Sequence, residues 1–370
     1  METVGIIAEY NPFHNGHLYH INRVKKLFPE ALVILILNGY FLQRGELSLL
    51  SKEEKTNIAL QNGVNLIVEL PFVFGSQSAD TFAYNAIKLL DILRCEKIVF
   101  GSESNNPKIL CEAAKFQINN KEYERSVKEF MDEGQNYPSA LAKAMGENSK
   151  INTPNDLLGI SYIKAILKIN PKMEYFTIKR TNDYHDTKSN TKIISATNIR
   201  EKIKKRENIE KYIPKYPTMV NWNLNTDYFG LLKYKIITDK DLSRYLTVDE
   251  GMENRLKKYI GKSHTLDELI GFIKTKRYTY NKINRMFIHI LIGLLKEENE
   301  ALQLDYVKVL GLDEKGKKYL NSIRKEITLP LSTKKPVSKV LDYEKKASAI
   351  YDLITNKNTL EFEKSNKPII

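Results

Sequence analysis

The chain has 370 residues, of which 42% are hydrophobic and 28% are charged, a balance typical of a globular protein with a buried core. No apolar run approaches the roughly eighteen residues that a membrane span needs, and the start METVGIIAEY lacks a basic signal segment, so a cytoplasmic location is expected. The two cysteines, Cys95 and Cys111, exclude a disulfide framework, and no ligands stand near them at zinc spacing.

The net charge of +13 is unevenly distributed along the chain. The first 200 residues carry 24 lysines and arginines against 22 acidic residues, whereas the remaining 170 carry 34 against 23. Such a basic half indicates a polyanionic partner such as nucleic acid or an anionic membrane, the alternative being a generally cationic soluble protein.

From the N-terminus, apolar runs alternate with helical patterns. The patterns predict strands over 4–10, 31–37, 64–70, 96–101 and 173–180. They predict helices over 17–28, 51–63 and 78–93, the second with Ser51 as N-cap and Gly63 as its stop. Continuous apolar strands separated by helices are typical of a parallel sheet covered on both faces, so we predict a doubly wound α/β fold.

After about residue 201 the strand pattern disappears, and amphipathic helices follow a predicted connector over 213–223. The segment 332–339 is predicted to be an exposed loop. We therefore predict two domains, an α/β domain over 1–205 and a basic, mainly α-helical domain over 206–370.

The segment NPFHNGH (11–17) falls where the first predicted strand turns into its helix. In α/β sheets this turn is the usual seat of a phosphate group, because free N–H groups and the positive end of the helix dipole point at it. Gly16 lets the backbone approach a phosphate closely, and His14 and His17 flank the same point as hydrogen-bond donors. Such donors suit attack at an α-phosphate. His20 follows one turn later, where a position on the helix surface is the alternative to a ligand contact.

The HNGH segment after a first strand resembles the H-x-G-H nucleotidyltransferase superfamily, whose fold is Rossmann-like. ISATNIR (194–200) resembles the I-S-S/T-x-x-R segment of that superfamily. The resemblance implies that Ser195, Thr197 and Arg200 hold the triphosphate, although Ala196 stands where many members have a serine or threonine. Without the resemblance, Ser195 or Thr197 is simply an N-cap.

Five segments together resemble the bacterial tRNA(Met) cytidine acetate ligase family: GIIAEYNPFHNGHLYHI, GSES, NDLLGISYIKAI, IKR and ISATNIR. That resemblance implies an ATP-binding domain over 1–205 and a tRNA-binding domain over 206–370. It implies that ATP activates acetate as acetyl adenylate, whose acetyl group passes to N4 of the wobble cytidine of elongator tRNA(Met). Mg²⁺ is expected with the triphosphate, and no other metal, membrane or protein partner is indicated.

The same resemblance implies the site residues, with His14, His17 and Arg200 as the catalytic ones. The implied ATP-binding residues are Ile7, Ala8, Glu9, Tyr10, Asn11, Pro12, Phe13, His14, Asn15, Gly16, His17, Leu18, Tyr19, His20, Gly101, Asn155, Arg180, Ser195, Thr197 and Arg200. For Asn155 an N-cap after a proline is the alternative, and for Arg180 a solvated strand end. The set contains no obvious general base, and ionised acetate needs none.

The basic half interleaves cations with tyrosines in RLKKYIGKSH, KTKRYTYNKINR and KGKKYLNSIRK. Cations bind backbone phosphates and aromatic rings stack on loop bases, so these helices, with Tyr259, Tyr278, Tyr280 and Tyr319, are the predicted tRNA surface. The predicted tRNA-binding residues are Lys257, Lys258, Lys274, Lys276, Arg277, Lys282 and Arg285. The alternative is a solvated helix face with its tyrosines half in the core.

Two other functions fit parts of the sequence. An adenylyltransferase acting on a small phosphorylated cofactor precursor explains both phosphate motifs but leaves the basic half without a purpose. A non-catalytic RNA-binding protein with a relic nucleotide site explains the basic half, but the intact His14, His17 and Arg200 argue against it.

Overall fold

The computed structural model describes residues 1–135, 137–146, 151, 153–180, 191–216, 227–331, 337–365 and 367–370. Part of the predicted connector (217–223) and most of the predicted exposed loop (332–336) lie outside the described residues. None of the helices within these ranges is long and apolar enough to cross a membrane.

A six-stranded sheet is the centre of the fold. In chain order its strands are β1 (Thr3–Ala8), β2 (Leu32–Asn38), β3 (Leu66–Leu70), β4 (Lys97–Ser102), β5 (Glu174–Lys179) and β6 (Val309–Leu312). Their spatial order is β5-β4-β1-β2-β3-β6, and every neighbouring pair is parallel except β3 and β6. The predicted α/β class is confirmed.

Helices cover the sheet and form most of the remaining described chain. Helices α1 to α9 are Asn15–Leu27, Lys52–Gln61, Phe72–Gly75, Ala79–Ile92, Pro107–Asn119, Lys121–Asp132, Tyr137–Ala144, Pro154–Ile169 and Ala196–Lys204. Helices α10 to α17 are Phe229–Thr238, Met252–Ile260, Leu266–Ile273, Tyr280–Ile292, Lys296–Ala301, Glu314–Ile323, Lys339–Thr355 and Leu360–Ser365. The predicted cap of α2 is confirmed, since Ser51 accepts the N–H of Glu54.

Strand β2 shows why the central strands read as continuous apolar runs. Its alternate residues Leu32, Ile34 and Ile36 enter the larger hydrophobic core. The intervening residues Val33, Leu35 and Leu37 enter a second core on the other face of the sheet. Because both faces are buried, every side chain of the strand contributes to burial, and no polar alternation is left in the sequence.

The expectation that no strand follows residue 201 is wrong. Strand β6 pairs antiparallel with β3, with Gly311 opposite Ile67. It has only four residues, so its structure comes from pairing with a distant strand and not from a local pattern. The division into 1–205 and 206–370 stays a prediction, and the second range contributes a strand to the sheet of the first.

A buried ion cluster joins the two halves of the chain. The Lys52 ammonium on α2 contacts the carboxylates of Glu69 on β3, Glu344 on α16 and Glu363 on α17, and lies 2.7 Å from Glu344 Oε1. Lys308, beside β6, contacts Glu69 and Glu363. Burial raises the pKa of Glu344 to about 7, so one proton can balance the third carboxylate. The C-terminal helices are thus tied to the sheet through charges shielded from water.

Removing the central cation should destabilise the fold. Lys52→Met leaves three buried carboxylates, of which Lys308 contacts two, and breaking a buried pair in this way typically costs about 3–5 kcal/mol. Urea unfolding should show a midpoint lower by the corresponding amount. As a control, Lys317→Met removes a lysine that is 52% exposed and forms an ion pair within α15, so it should change the free energy of unfolding by less than about 0.5 kcal/mol. Equal midpoints for the two variants would refute a structural role for the cluster.

Candidate active site

A cavity of about 290 Å³ lies at the carboxyl ends of the parallel strands, where such sheets bind ligands. Its walls come from the segments that follow β1, β2, β4 and β5 and from the first turns of α8 and α9. We call it the strand-end cavity. The predicted ATP-binding residues that line it are Ile7, Ala8, Glu9, Tyr10, Asn11, His14, Gly16, His17, Tyr19, His20, Gly101, Asn155, Arg180, Ser195, Thr197 and Arg200.

Four predicted ATP-binding residues, Pro12, Phe13, Asn15 and Leu18, do not line this cavity. Phe13 is buried in the core and Leu18 packs against the same core. The Asn15 amide donates to the carbonyl of Lys192 at 3.0 Å. These residues position the segment, and contact with a ligand stays a prediction for them.

His14 and His17 form a reciprocal capping box at the start of α1. His14 Nδ1 accepts the Gly16 N–H at 2.9 Å, and His17 Nδ1 accepts the His14 N–H at 3.2 Å. An imidazole nitrogen that accepts a hydrogen bond carries no proton, so each neutral ring carries its proton on Nε2. The local backbone therefore fixes both rings as Nε2–H donors.

The two histidines act as neutral groups. Burial, together with the positive charges of Arg180 and Arg200, lowers the pKa of His14 to about 3. Burial, followed by the interaction with His14, lowers the pKa of His17 well below its usual value. At neutral pH both rings can donate hydrogen bonds to an anion, but neither brings a charge.

The expectation that α1 points free backbone N–H groups at a phosphate is wrong. The Asn15 N–H donates to the Tyr212 carbonyl at 2.9 Å, the Gly16 N–H to the His14 ring and the His17 N–H to the His14 carbonyl at 2.8 Å. Glycine is needed at position 16 for another reason, since a Cβ there would lie 2.7 Å from His14 Cε1. At α1 it is the imidazole rings that offer donors to the cavity.

The start of α9 offers the open amides instead. Ser195 is its N-cap, and Ser195 Oγ accepts the Asn198 N–H at 3.1 Å. The N–H groups of Ala196 and Thr197 donate to no residue in the described part of the chain, and both residues line the cavity. Such a helix start attracts anions through its amides and its dipole.

Arg200 is held beside that helix start by three contacts. It donates to the Asn11 carbonyl at 3.0 Å and to Thr197 Oγ1 at 3.2 Å, and it lies 3.1 Å from Glu46 Oε2. The guanidinium therefore links the segment after β1 to the start of α9, where the open amides lie. The resemblance to the triphosphate motif fits this geometry.

The structure excludes the alternative roles of Asn155 as an N-cap and of Arg180 as a solvated strand end. Thr153 is the N-cap of α8, so Asn155 is inside the helix and its amide donates to Glu103. Arg180 is half-buried, not a solvated strand end, and lies 3.6 Å from Glu103 and 3.5 Å from Asn155 Oδ1. Burial lowers the pKa of Arg180, the nearby Glu103 opposing the shift. A second cation thus faces the cavity.

His20 also turns inward. It lines the cavity, and its buried Nε2 has no hydrogen-bond partner among the described residues. Burial lowers the pKa of His20 to about 4. The ring offers a third neutral imidazole to a ligand.

Sequence reasoning missed the segment after β2, which contributes Gln43, Arg44 and Glu46 to the cavity. The Gln43 N–H donates to Glu9 Oε1 at 2.7 Å, and the Asn38 amide donates to the same oxygen at 2.9 Å. The order of the strands in the sheet explains this contribution. Because β2 lies beside β1, the segment after β2 reaches the same edge of the sheet as the segment after β1.

Lys55 is a second residue that sequence reasoning missed. Its buried ammonium donates to the carbonyls of Glu9 at 3.1 Å and of Asn38 and Gly39 at 2.7 Å each. These carbonyls lie where β1 and β2 end. Lys55 therefore holds together the two segments that follow these strands and line the strand-end cavity. Nothing in the sequence of α2 marks this lysine, since the contacts are made by the fold.

The predicted tRNA-binding residues divide into two groups. Lys257, Lys258, Lys274 and Lys276 are exposed on or beside α11 and α12. The others line a second cavity of about 430 Å³, and they are Arg277, Lys282 and Arg285.

The prediction that tyrosines of the basic helices stack on bases is wrong for two of them. Tyr278 and Tyr319 are buried in the core, where their hydroxyls bond the backbone of Asp249 and Leu93. Tyr280 is 48% exposed, and Tyr259 stacks on Phe272 at 5.2 Å between centroids. For the buried pair, the alternative of core tyrosines holds.

Imidazole donors, arginines and an open helix start in one cavity are groups that can bind the phosphates of a nucleotide. The family model described as HIGH Nucleotidyl Transferase matches residues 1–367. The tRNA(Met) cytidine acetate ligase of Geobacillus sp. (strain WCH70) is 38% identical over 100% of both chains. That of Bacillus subtilis (strain 168) is 35% identical over 95% of this chain and 92% of its own. The chain belongs to the tRNA(Met) cytidine acetate ligase family within the HIGH nucleotidyl transferases.

Solved structures agree with this assignment. Thermotoga maritima TmcAL bound with α-thio ATP superimposes with a TM-score of 0.85 at 28% identity, covering 96% of this chain and 95% of its own. The apo form of the same protein gives a TM-score of 0.87, covering 98% of this chain and 96% of its own.

The neutral state of His14 predicts how stability depends on pH. Between pH 6.5 and about 3 the unfolded chain takes up a proton at this position that the folded chain refuses, so stability is lost as the pH falls through this window. Each such histidine contributes a slope of about 1.4 kcal/mol per pH unit. His14→Asn keeps an N-cap and should reduce the slope by that amount in urea unfolding between pH 6 and about 4.5. The control His264→Asn alters an exposed histidine and should leave the slope as it is. An unchanged slope in His14→Asn would contradict the buried neutral ring.

Proposed function

We propose that this protein uses ATP to activate acetate as acetyl adenylate and transfers the acetyl group to N4 of the wobble cytidine of elongator tRNA(Met). The observation that carries the proposal is the strand-end cavity, which is lined by His14, His17, Arg200 and the open start of α9. The names of the relatives supply the acceptor and the acyl donor.

The first step suits a site built of donors and cations. An acetate oxygen attacks the α-phosphorus, a new P–O bond forms, and the bond to the β-phosphate oxygen breaks to release pyrophosphate. No proton moves, so the absence of a dedicated base among the predicted site residues agrees with this step. The Nε2–H groups of His14 and His17 stabilise the charge that develops on the α-phosphate. Arg200 and the amides at the start of α9 hold the leaving pyrophosphate.

Mg²⁺ enters this scheme with the substrate. Within the described ranges, the one carboxylate cluster close enough to hold a metal is Glu69, Glu344 and Glu363, and the Lys52 ammonium already contacts all three. In the strand-end cavity Glu46 faces Arg200. We therefore expect Mg²⁺ to bind the triphosphate oxygens and to neutralise them there.

In the second step the cytosine amine attacks the acetyl carbonyl carbon. A C–N bond forms, the bond from that carbon to the adenylate oxygen breaks, and AMP and a proton are released. The exocyclic amine is a weak nucleophile, which is why acetate must first become a mixed anhydride. A wobble base lies in a single-stranded loop and can be splayed into a site at small cost.

The exposed lysines supply the sequence-independent part of RNA binding in this proposal. Contacts with backbone phosphates, which release counterions, are proposed for the solvent-exposed Lys257, Lys258, Lys274 and Lys276. This role distinguishes the proposed ligase from an adenylyltransferase of small cofactors, which has no need of such a surface.

Acetate-dependent exchange of labelled pyrophosphate into ATP tests the first half-reaction. His17→Ala should reduce this exchange about a hundredfold or more, because a preorganised donor at the α-phosphate is lost. His264→Ala, on the protein surface, serves as the matched control and should exchange normally. A folded His17→Ala protein with normal exchange would refute the assignment of this ring.

The same assay separates the competing functions. Exchange that requires acetate supports the ligase, exchange that requires a phosphorylated cofactor precursor supports the adenylyltransferase, and no exchange under any condition supports the relic site. Mass spectrometry of nucleosides after incubation with ATP, labelled acetate and bulk tRNA then tests the acceptor. Labelled N4-acetylcytidine is the expected product.

A further inference from the structure

A second cavity, of about 430 Å³, adjoins the strand-end cavity. The two share Gln43, Arg44 and Leu158 in their walls. The segment after β2 and the first turns of α8 therefore form a common boundary, so a group bound in one cavity is next to a group bound in the other. We call the larger one the side cavity.

The side cavity has an apolar wall and a cationic rim. Leu157, Leu158 and Ile160 of α8 form part of the apolar wall. The cations of its lining are Arg44, Lys164, Arg277, Lys282 and Arg285. A cavity of this size with an apolar wall and several cations suits a ligand with an apolar ring and a phosphate.

Positive charge exceeds negative charge around this rim. The carboxylates of the lining, Asp80 and Glu250, already contact Lys164 at 2.8 Å and Arg277 at 3.2 Å. Arg285 has no carboxylate within 4.0 Å among the described residues and donates only a 3.4 Å hydrogen bond to the Gln43 carbonyl.

Arg285 and Lys282 lie in the electrostatic field of neighbouring cations. Burial, together with the charge of Arg44, lowers the pKa of Arg285 to about 10. Lys282 lies 3.8 Å from the centre of the Tyr278 ring, and burial lowers its pKa as well. A bound anion would relieve this repulsion.

The side cavity also offers a polar group of the kind that reads a base. The Asn281 amide lines the cavity and forms no hydrogen bond with any residue in the described part of the chain. An amide both donates and accepts, so it can pair with the edge of an unstacked base.

We propose that the side cavity binds the acceptor nucleotide of the RNA substrate, with its base against the α8 wall and its phosphate on Arg285 and Lys282. The cytosine amine then points across Gln43 and Arg44 toward the acetyl group in the strand-end cavity. This inference rests on the proposed function, because it assigns a seat to the second substrate of that reaction.

Two synthetic hairpins test the inference, the anticodon stem-loop of elongator tRNA(Met) and the same hairpin with an abasic wobble position. The wild-type protein should bind the first more tightly. Arg285→Gln should lower the affinity for both hairpins about tenfold or more, because both keep the phosphate that Arg285 is proposed to hold and a lost charged hydrogen bond accounts for this factor. The half-reaction of pyrophosphate exchange should persist, since Arg285 does not line the strand-end cavity.

Arg94→Gln is the matched control, because Arg94 is exposed and precedes β4, at the amino end of that strand and outside the predicted tRNA-binding segments. It should keep both the affinity and the preference. Asn281→Leu provides a second variant of similar side-chain size and should reduce the preference for cytidine over uridine at the wobble position. It carries the test if Arg285→Gln does not fold.

The outcomes distinguish a failure of this inference from a failure of the proposed function. If a folded Arg285→Gln protein binds both hairpins as tightly as the wild type does, or a folded Asn281→Leu protein discriminates as the wild type does, the side cavity is not the site of the nucleotide, whatever the exchange assay gives. Equal affinity of the wild-type protein for the intact and the abasic hairpin would overturn the inference as well. A wild-type protein without acetate-dependent exchange would instead refute the proposed function.

Discussion

Two buried lysines on one face of α2 hold the structure together at the point where the site is built. Lys52 contacts carboxylates from β3, α16 and α17, and Lys55, three residues later, holds the carbonyls of Glu9, Asn38 and Gly39. The helix therefore connects the C-terminal half of the chain to the segments that line the strand-end cavity. Buried ammonium groups demand such partners, because an unpaired charge away from water is strongly unfavourable. The geometry of the site thus depends on residues far from any ligand.

Inside the strand-end cavity, the hydrogen bonds made within the protein determine which groups are available to a ligand. The backbone amides of α1 are already bonded, partly by the His14 ring itself, so that ring and His17 face the cavity as neutral donors. Formal positive charge comes from Arg180, directly after β5, and from Arg200 on α9. A site of this kind stabilises charge that develops during reaction and does not depend on the protonation of its histidines near neutral pH.

The sequence predicted those features that local pattern or motif determines. The five parallel strands were found because burial on both faces makes them continuous apolar runs, and the cavity motif was found because HNGH stands directly after the first strand. Strand β6, Lys55 and the segment at Gln43 depend on which distant elements become neighbours, and a single sequence does not carry that information. For Tyr278 the local pattern predicted the wrong role. A tyrosine among lysines resembles an RNA-binding residue, but its ring is buried in the core and its hydroxyl bonds the backbone of Asp249.

The position of β6 in the chain sets the order in which the molecule is completed. The edge of β3 that pairs with β6 stays unpaired until β6, about 240 residues further along the chain, has been synthesised. During synthesis at about 5–20 residues per second, this interval is on the order of ten to fifty seconds. An unpaired apolar edge is a template for association with other chains. A nascent chain of this protein therefore spends most of its time on the ribosome with an open sheet edge, and closing that edge belongs to the last stage of folding.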